Sequence, residues 1–220
     1  MADPVIGYWF AKASSNGRVR LPHQDRRLVR VGESLSVKPP IVLCAYGLHA
    51  SRRVLDALTY APGPMLAVVE LSGSIIEGND KLVATTRTVL WMQDVSTVLH
   101  HAACDFAERA LHREEQAGQT VDPRSWAAIE TTRRWLAGTA TDDEREIARS
   151  AARAAAWDAA WAAAEAAAWA ATWVAARVVA RAAAWNADWD AKRAWQEAHL
   201  LQLLRQVGMP NVREEETSNE

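Results

Sequence analysis

Three observations predict an α+β protein, with a small N-terminal mixed or antiparallel sheet domain followed by an all-α region that ends in a long Ala/Trp-rich helix. Apolar and β-branched runs bounded by Gly and Pro dominate before residue 94, and apolar residues at helical spacing dominate after it. From Thr141 to Val207 neither Gly nor Pro interrupts the chain. Within that span, Ala154 to Trp189 reads in units of four: AAAW, DAAW, AAAE, AAAW, AATW, VAAR, VVAR, AAAW, NADW. These observations divide the chain into an α+β domain over 1–94, a helical region over 95–207 and an acidic tail over 208–220.

Val5 to Ala13 (VIGYWFAKA) is β-branched and aromatic and predicts a strand, and Ser14 to Gly17 reads as a turn. The basic stretch Arg18 to Arg30 is irregular. Val29 to Val37 predicts one or two short strands around Gly32, stopped by Pro39-Pro40, and Ile41 to Tyr46 (IVLCAY) reads as a buried strand. Gly47-Leu-His-Ala-Ser51 then reads as a turn. Ser51 would act as N-cap of a helix over 52–60 that carries Val54, Leu55 and Leu58 on one face, and Pro62-Gly63-Pro64 closes it. Met65 to Gly73 and Leu82 to Met92 predict two strands joined around Gly78-Asn79-Asp80.

Past Asp94, placed as an N-cap, Val95, Val98, Leu99, Ala102, Phe106 and Ala110 recur at helical spacing up to Gln116, and Gly118 ends the run. Asp122-Pro123 opens a second helix that Gly138 stops. Thr141 and Glu144 form a capping box for the third, spanning about 142–207, which Gly208 and Pro210 punctuate. Unbroken, it would reach roughly 100 Å, so it must pack, bend or self-associate. Trp157, Trp161, Trp169, Trp173, Trp185 and Trp189 share a period of four, with Trp195 beyond them. That period drifts by about 40° per unit against 3.6 residues per turn, so the indoles spread around the axis. Packing on several sides, within the chain or between copies, is the expected use.

Composition narrows the function classes. The chain has 25 Lys and Arg against 27 Asp and Glu, but residues 1–60 hold nine basic residues against four acidic ones. Lys12, Arg18, Arg20, Arg26, Arg27, Arg30 and Lys38 could neutralise phosphates, with Tyr8 and Trp9 nearby for stacking and nucleic acid as one candidate partner. The tail Arg213 to Glu220 reads as a disordered, solvating end. Two Cys cannot staple a scaffold, and the N-terminus has no signal-like pattern, so a cytoplasmic setting is expected. Ala159 to Ala176 contains Glu165 at its centre and is bounded by Asp158 and Arg177, which argues against a membrane span. His100, His101 and Cys104 share one helix without further ligands at matching spacing, so no metal is expected. No nucleophile triad order, P-loop or Rossmann glycine pattern occurs.

The Gly-Leu-His-Ala-Ser turn at 47–51, with Ala57, Tyr60 and Leu66 to Gly73, resembles a domain family of unknown function in phage and bacterial proteins, over roughly residues 6–95. No activity comes with it; a host or phage protein partner, and the host cytoplasm, are what it implies. The order strand, Gly-x-His-x-Ser, helix, strand is also similar to the second motif of ADP-ribosyltransferase-like folds. That likeness implies an NAD pocket in which His49 takes the place of a stacking aromatic and Ser51 that of a supporting hydroxyl, with Tyr8 or His23 serving from the first motif. The Glu of the family's third motif has no counterpart near Thr85 to Thr88, and Glu77 lies before that strand, so an inactive, binding version is implied. The leading reading is therefore a non-enzymatic binding or assembly protein without a cofactor. Ligand contacts are expected at Tyr8, Gly47, His49, Ser51 and Tyr60, and self-association through the long helix. NAD enters only through the transferase-like alternative.

Overall fold

The computed structural model describes residues 3–15, 17–21, 27–155 and 175–211, with the side chains of 175–189 excepted. These residues form two compact units, Met1–Leu99 with Glu197–Glu220, and His100–Gln196.

The first unit holds strands β1 (Val5–Ala11), β2 (Ser34–Ser36), β3 (Leu48–Ala50), β4 (Met65–Glu77) and β5 (Leu82–Asp94), with helix α1 (Val54–Thr59) between β3 and β4. All pairings are antiparallel. The sheet order is β1-β4-β5-β2, and β3 lies beside β2 on the same edge of β5. An α+β protein with a five-stranded antiparallel sheet followed by helices is thus what the sequence folds into.

The β4–β5 hairpin is the frame. Leu66, Ala67, Val68 and Val69 are all 0% exposed, so both faces of β4 are covered and the strand reads as a continuous apolar run rather than an alternation. Two register shifts bend it, one between Val68 and Val69 and one between Ser72 and Ile75. At the second, Gly73 takes a φ of +79°, and Ser74 N donates to Thr85 Oγ1 at 3.0 Å. Bulges increase twist and curl a sheet. Here the outer edge of β1 reaches the end of β3, where Tyr8 and Ser51 exchange backbone hydrogen bonds of 2.7 and 2.9 Å. The ring β1-β4-β5-β3-β1 closes at that point, which removes part of an open strand edge.

Three expectations need correction. Ile41 to Tyr46 is a compact turn bridged from Val42 to Tyr46, with Val42 51% exposed, and only Ile41 of the pair at its start is buried. β5 offers no edge between the stretches that β2 and β3 occupy, so the connecting residues turn back. Gly47 to Ser51, read as a turn, contains strand β3. Ser51 does not cap α1: the N-cap is Arg53, which makes no side-chain cap bond. The first amides of α1, Val54 N and Leu55 N, instead donate to the two carboxylate oxygens of Glu197 at 2.8 and 2.9 Å. Leu200 and Leu204, one and two turns further on, are 0% exposed in the same unit.

The helical stops and starts follow the sequence reading closely. The carboxylate of Asp94 takes Ser96 N at the start of α2 (Ser96–Gln116), and Gly118 ends that run at a φ of +78°. Asp122 caps α3 (Pro123–Leu136) through Arg124 N. Thr141 and Glu144 form the expected capping box, 2.7 Å from Thr141 N and 3.2 Å from Glu144 N, at the head of α4 (residues 142–155). The last helix, α5 (Ala175–Gln206), ends where Gly208 adopts a φ of +93° and Met209 N donates to Leu204 O. In the second unit Arg133 of α3 ties to Asp105 and Glu108 of α2, and Trp195 meets Phe106 edge-on beneath Arg109. None of the helices among the described residues is long and apolar enough to cross a membrane.

Candidate functional site

Beyond the Tyr8–Ser51 pair the seam opens. Strand β1 runs on to Ala11 and into a turn where Ser14 N meets Arg18 O, while β3 runs the opposite way toward Gly47. The gap is a cavity of about 750 Å³. Its size falls within the range of small-molecule sites.

Four of the five residues expected to contact a ligand come together here: Tyr8, His49, Ser51 and Tyr60 all line the cavity. Gly47 does not; its role is steric, since its φ of +132° brings its Cα against buried Val83. The residues singled out for phosphate split. Arg18 and Arg20 line the cavity, whereas Arg27 reaches the carbonyl of Ser36 and Arg30 lies exposed elsewhere; Arg26 is outside the described residues, as is His23. Lys12 and Trp9, from the same basic and stacking reading, line the cavity as well; sequence reasoning missed Phe10, Cys44 and Lys81, which complete the wall. Their signals were the aromatic run of β1 and the Lys that directly follows the hairpin turn.

The electrostatics of the wall are one-sided. Lys12, Arg18, Arg20 and Lys81 contribute cations, and no Asp or Glu lines the cavity among the described residues. Asp80 stands nearby and accepts a hydrogen bond from the Tyr60 hydroxyl. The Lys81 ammonium sits 3.7 Å from the centre of the Tyr60 ring, and hydrogen bonding to Tyr60, then to Cys44, holds its pKa above the ordinary lysine value. Beneath the wall lies Arg87, whose guanidinium stacks 3.7 Å over the Trp9 ring and donates to His49 O at 2.8 Å.

His49 is held by backbone. Its Nε2 accepts from Cys44 N at 3.1 Å, which requires that nitrogen to be unprotonated. Burial lowers its pKa, a backbone bond with Gly47 opposes the shift, and the Lys81 and Arg87 charges add to the lowering. A neutral, backbone-bound ring fixes the 41–47 turn and is poorly placed to move protons. The folded-state pKa lies below 6.5, so His49 contributes stability that is present above pH 6.5 and lost as pH falls through the folded value. Urea midpoints should therefore drop between pH 7.5 and 5.5, and the drop should be smaller in His49→Gln. Burial also lowers the pKa of His100, so the comparison is between slopes; equal slopes would show that His49 is not the group responsible.

Two other constellations are not among the lining residues. His100 packs edge-on against Trp135 at 5.1 Å, and no group of three His, Cys, Asp or Glu side chains suited to a metal occurs among the described residues. Glu77 pairs with Arg52 through bonds of 2.6 and 3.0 Å and does not line the cavity. Trp157, Trp161, Trp169 and Trp173 lie outside the described residues, as do the tail from 212 and the side chains of Trp185 and Trp189. Trp195 is half-buried in the second unit against Phe106.

Residues 27–101 match a family model described as Domain of unknown function (DUF7666). The matched span takes in β2 to β5 and α1, and with them His49, Ser51, Tyr60, Lys81 and Arg87; β1 precedes it. No curated protein and no solved structure matches the chain.

Proposed function

We propose that the first unit is a non-enzymatic binding module for a nucleotide-class ligand, a flat ring carrying one or more phosphates, held in the cavity at the β1–β3 seam. The observation that carries this reading is the lining itself: Tyr8, Trp9, Phe10 and Tyr60 beside Lys12, Arg18, Arg20 and Lys81, with no carboxylate among the described lining residues. Aromatic surface favours a planar ring, and charge-assisted bonds from Lys and Arg favour phosphate oxygens. A nicotinamide dinucleotide falls within this class. Glu77, engaged with Arg52 and away from the lining, supports binding without ADP-ribosyl transfer. The placement of Arg18 and Arg20 at a bounded cavity favours a compact anion over a nucleic-acid strand. Self-association through the Ala/Trp repeat belongs to the same proposal and would set how many cavities act together.

Calorimetry with ADP, NAD and adenosine tests this. ADP and NAD should bind, adenosine should bind at least about tenfold more weakly, and Lys81→Ala should weaken ADP by about tenfold. Equal affinity for ADP and adenosine, or no heat from any of the three, would remove the reading.

A further inference from the structure

We propose that Arg87 is the oxyanion-recognising residue of this cavity, and that the open edge of its guanidinium takes two oxygens of the ligand's phosphate. The inference rests on the binding role proposed above and names the group that fixes the ligand's charged end.

Arg87 sits in the middle of β5, opposite Leu71 on one side and Leu35 on the other, and is 2% exposed. A guanidinium so placed loses its hydration, and burial alone pushes its pKa down to about 9. Buried charges are ordinarily paired with an opposite charge. Among the described residues no carboxylate pairs with Arg87, and its Nε and Nη2 have no hydrogen-bond acceptor. The Trp9 ring face and the single bond from Nη1 to His49 O are the compensation it has.

The open atoms form one edge. Nε and Nη2 are the side-on fork of an arginine, the same edge with which Arg52 grips both oxygens of Glu77 in this protein. That fork matches a carboxylate or phosphate in bidentate fashion. Its location is also defined. Ser51 directs its N–H and C=O toward β1, so His49, two residues earlier on the same strand, directs its carbonyl toward the same seam. The guanidinium that meets this carbonyl and the Trp9 ring therefore lies behind two residues that line the cavity. A side shift of the half-buried Trp9 ring opens the fork to a ligand oxygen.

A purely structural role would make a different demand. If Arg87 served only the fold, through its bond to His49 O and its stack on Trp9, a Met of similar length would lower the stability of the unit and leave binding unchanged, whereas taking away an uncompensated buried charge leaves the unit at least as stable. The expected signature is a division between stability and binding. In Arg87→Met the urea midpoint of the full chain should stay level or rise, while ADP affinity falls at least about thirtyfold. Arg87→Lys, which keeps the charge and loses the fork, should recover only part of that affinity. A second readout is pyrophosphate at constant ionic strength, which should raise the midpoint of the wild type and leave that of Arg87→Met unchanged. If pyrophosphate does this while no nucleotide binds, the oxyanion site stands and the nucleotide reading falls. Arg87→Met that binds ADP and pyrophosphate as the wild type does overturns the proposal, as does a variant too unstable to fold.

Discussion

Gly47→Ala is expected to lose about 2 to 5 kcal/mol of folding stability, a loss large enough to leave much of the protein unfolded at 37 °C. Two causes add. The φ of +132° is one that residues with a Cβ rarely adopt, and a Cβ there would stand 2.3 Å from Val83 Cγ2 and 3.3 Å from Ile41 Cγ2. Val83 is 0% exposed at the start of β5 and pairs with His49, so its methyl group has no free space to enter. Relief must come from the backbone at the start of β3, which moves His49 and with it one wall of the cavity. Gly32→Ala is the control: its φ of +82° is also left-handed, but nothing lies within 4 Å of the new Cβ, so only a backbone cost of about 1 kcal/mol applies. Urea denaturation of the two variants separates crowding from backbone strain. Equal losses would mean that Val83 yields, and that Gly47 matters for its dihedral alone.

The helical half was legible in the sequence because its signals are local. Asp122-Pro123, the Thr141/Glu144 pair and Gly118, Gly138 and Gly208 each act within a few residues, and each sits where it was expected. The β4–β5 hairpin was legible for the same reason, although both strands run further than their apolar cores suggest. The 41–51 segment was misread because a six-residue apolar run has no period of its own; what decided its shape was an edge of β5 shared by β2 and β3, a fact of long-range pairing. The cavity was half legible. The resemblance carried by Gly47 to Ser51 and Tyr60, with Tyr8 from β1, pointed to Tyr8, His49, Ser51 and Tyr60, but only the closing bonds between Tyr8 and Ser51 put them on one wall. Arg87 carried a signal that was passed over, a lone cation in the apolar strand LVATTRTVLWM, where an exposed arginine would have been the default.

Glu197 is the residue whose role could not have been read locally, and its removal should have an effect as large as that of Gly47. It lies 143 residues from its partner Val54, is 6% exposed, and gives one oxygen to each of the first two amides of α1. A six-residue helix is too short to persist by itself, and Arg53 supplies no side-chain cap, so this carboxylate holds the helix start. Hydrogen bonds to a charged group contribute about 1.5 to 3 kcal/mol each, and buried amides left without an acceptor add to the loss. Glu197→Ala should therefore cost about 3 to 5 kcal/mol, and Glu197→Gln, which keeps one acceptor, roughly half of that. The loss should also be placed unevenly. Hydrogen exchange over 54–59 should accelerate in both variants well before exchange in β4 and β5, because the hairpin keeps its own ladder. Ala57, within α1, and Tyr60, just beyond its end, line the cavity, so ligand affinity should fall together with α1 protection. If α1 stays protected in Glu197→Ala while the whole unit weakens evenly, the carboxylate is a packing element. If α1 alone opens and the cavity loses its ligand, the end of the long helix sets the shape of a site that the first hundred residues cannot complete by themselves.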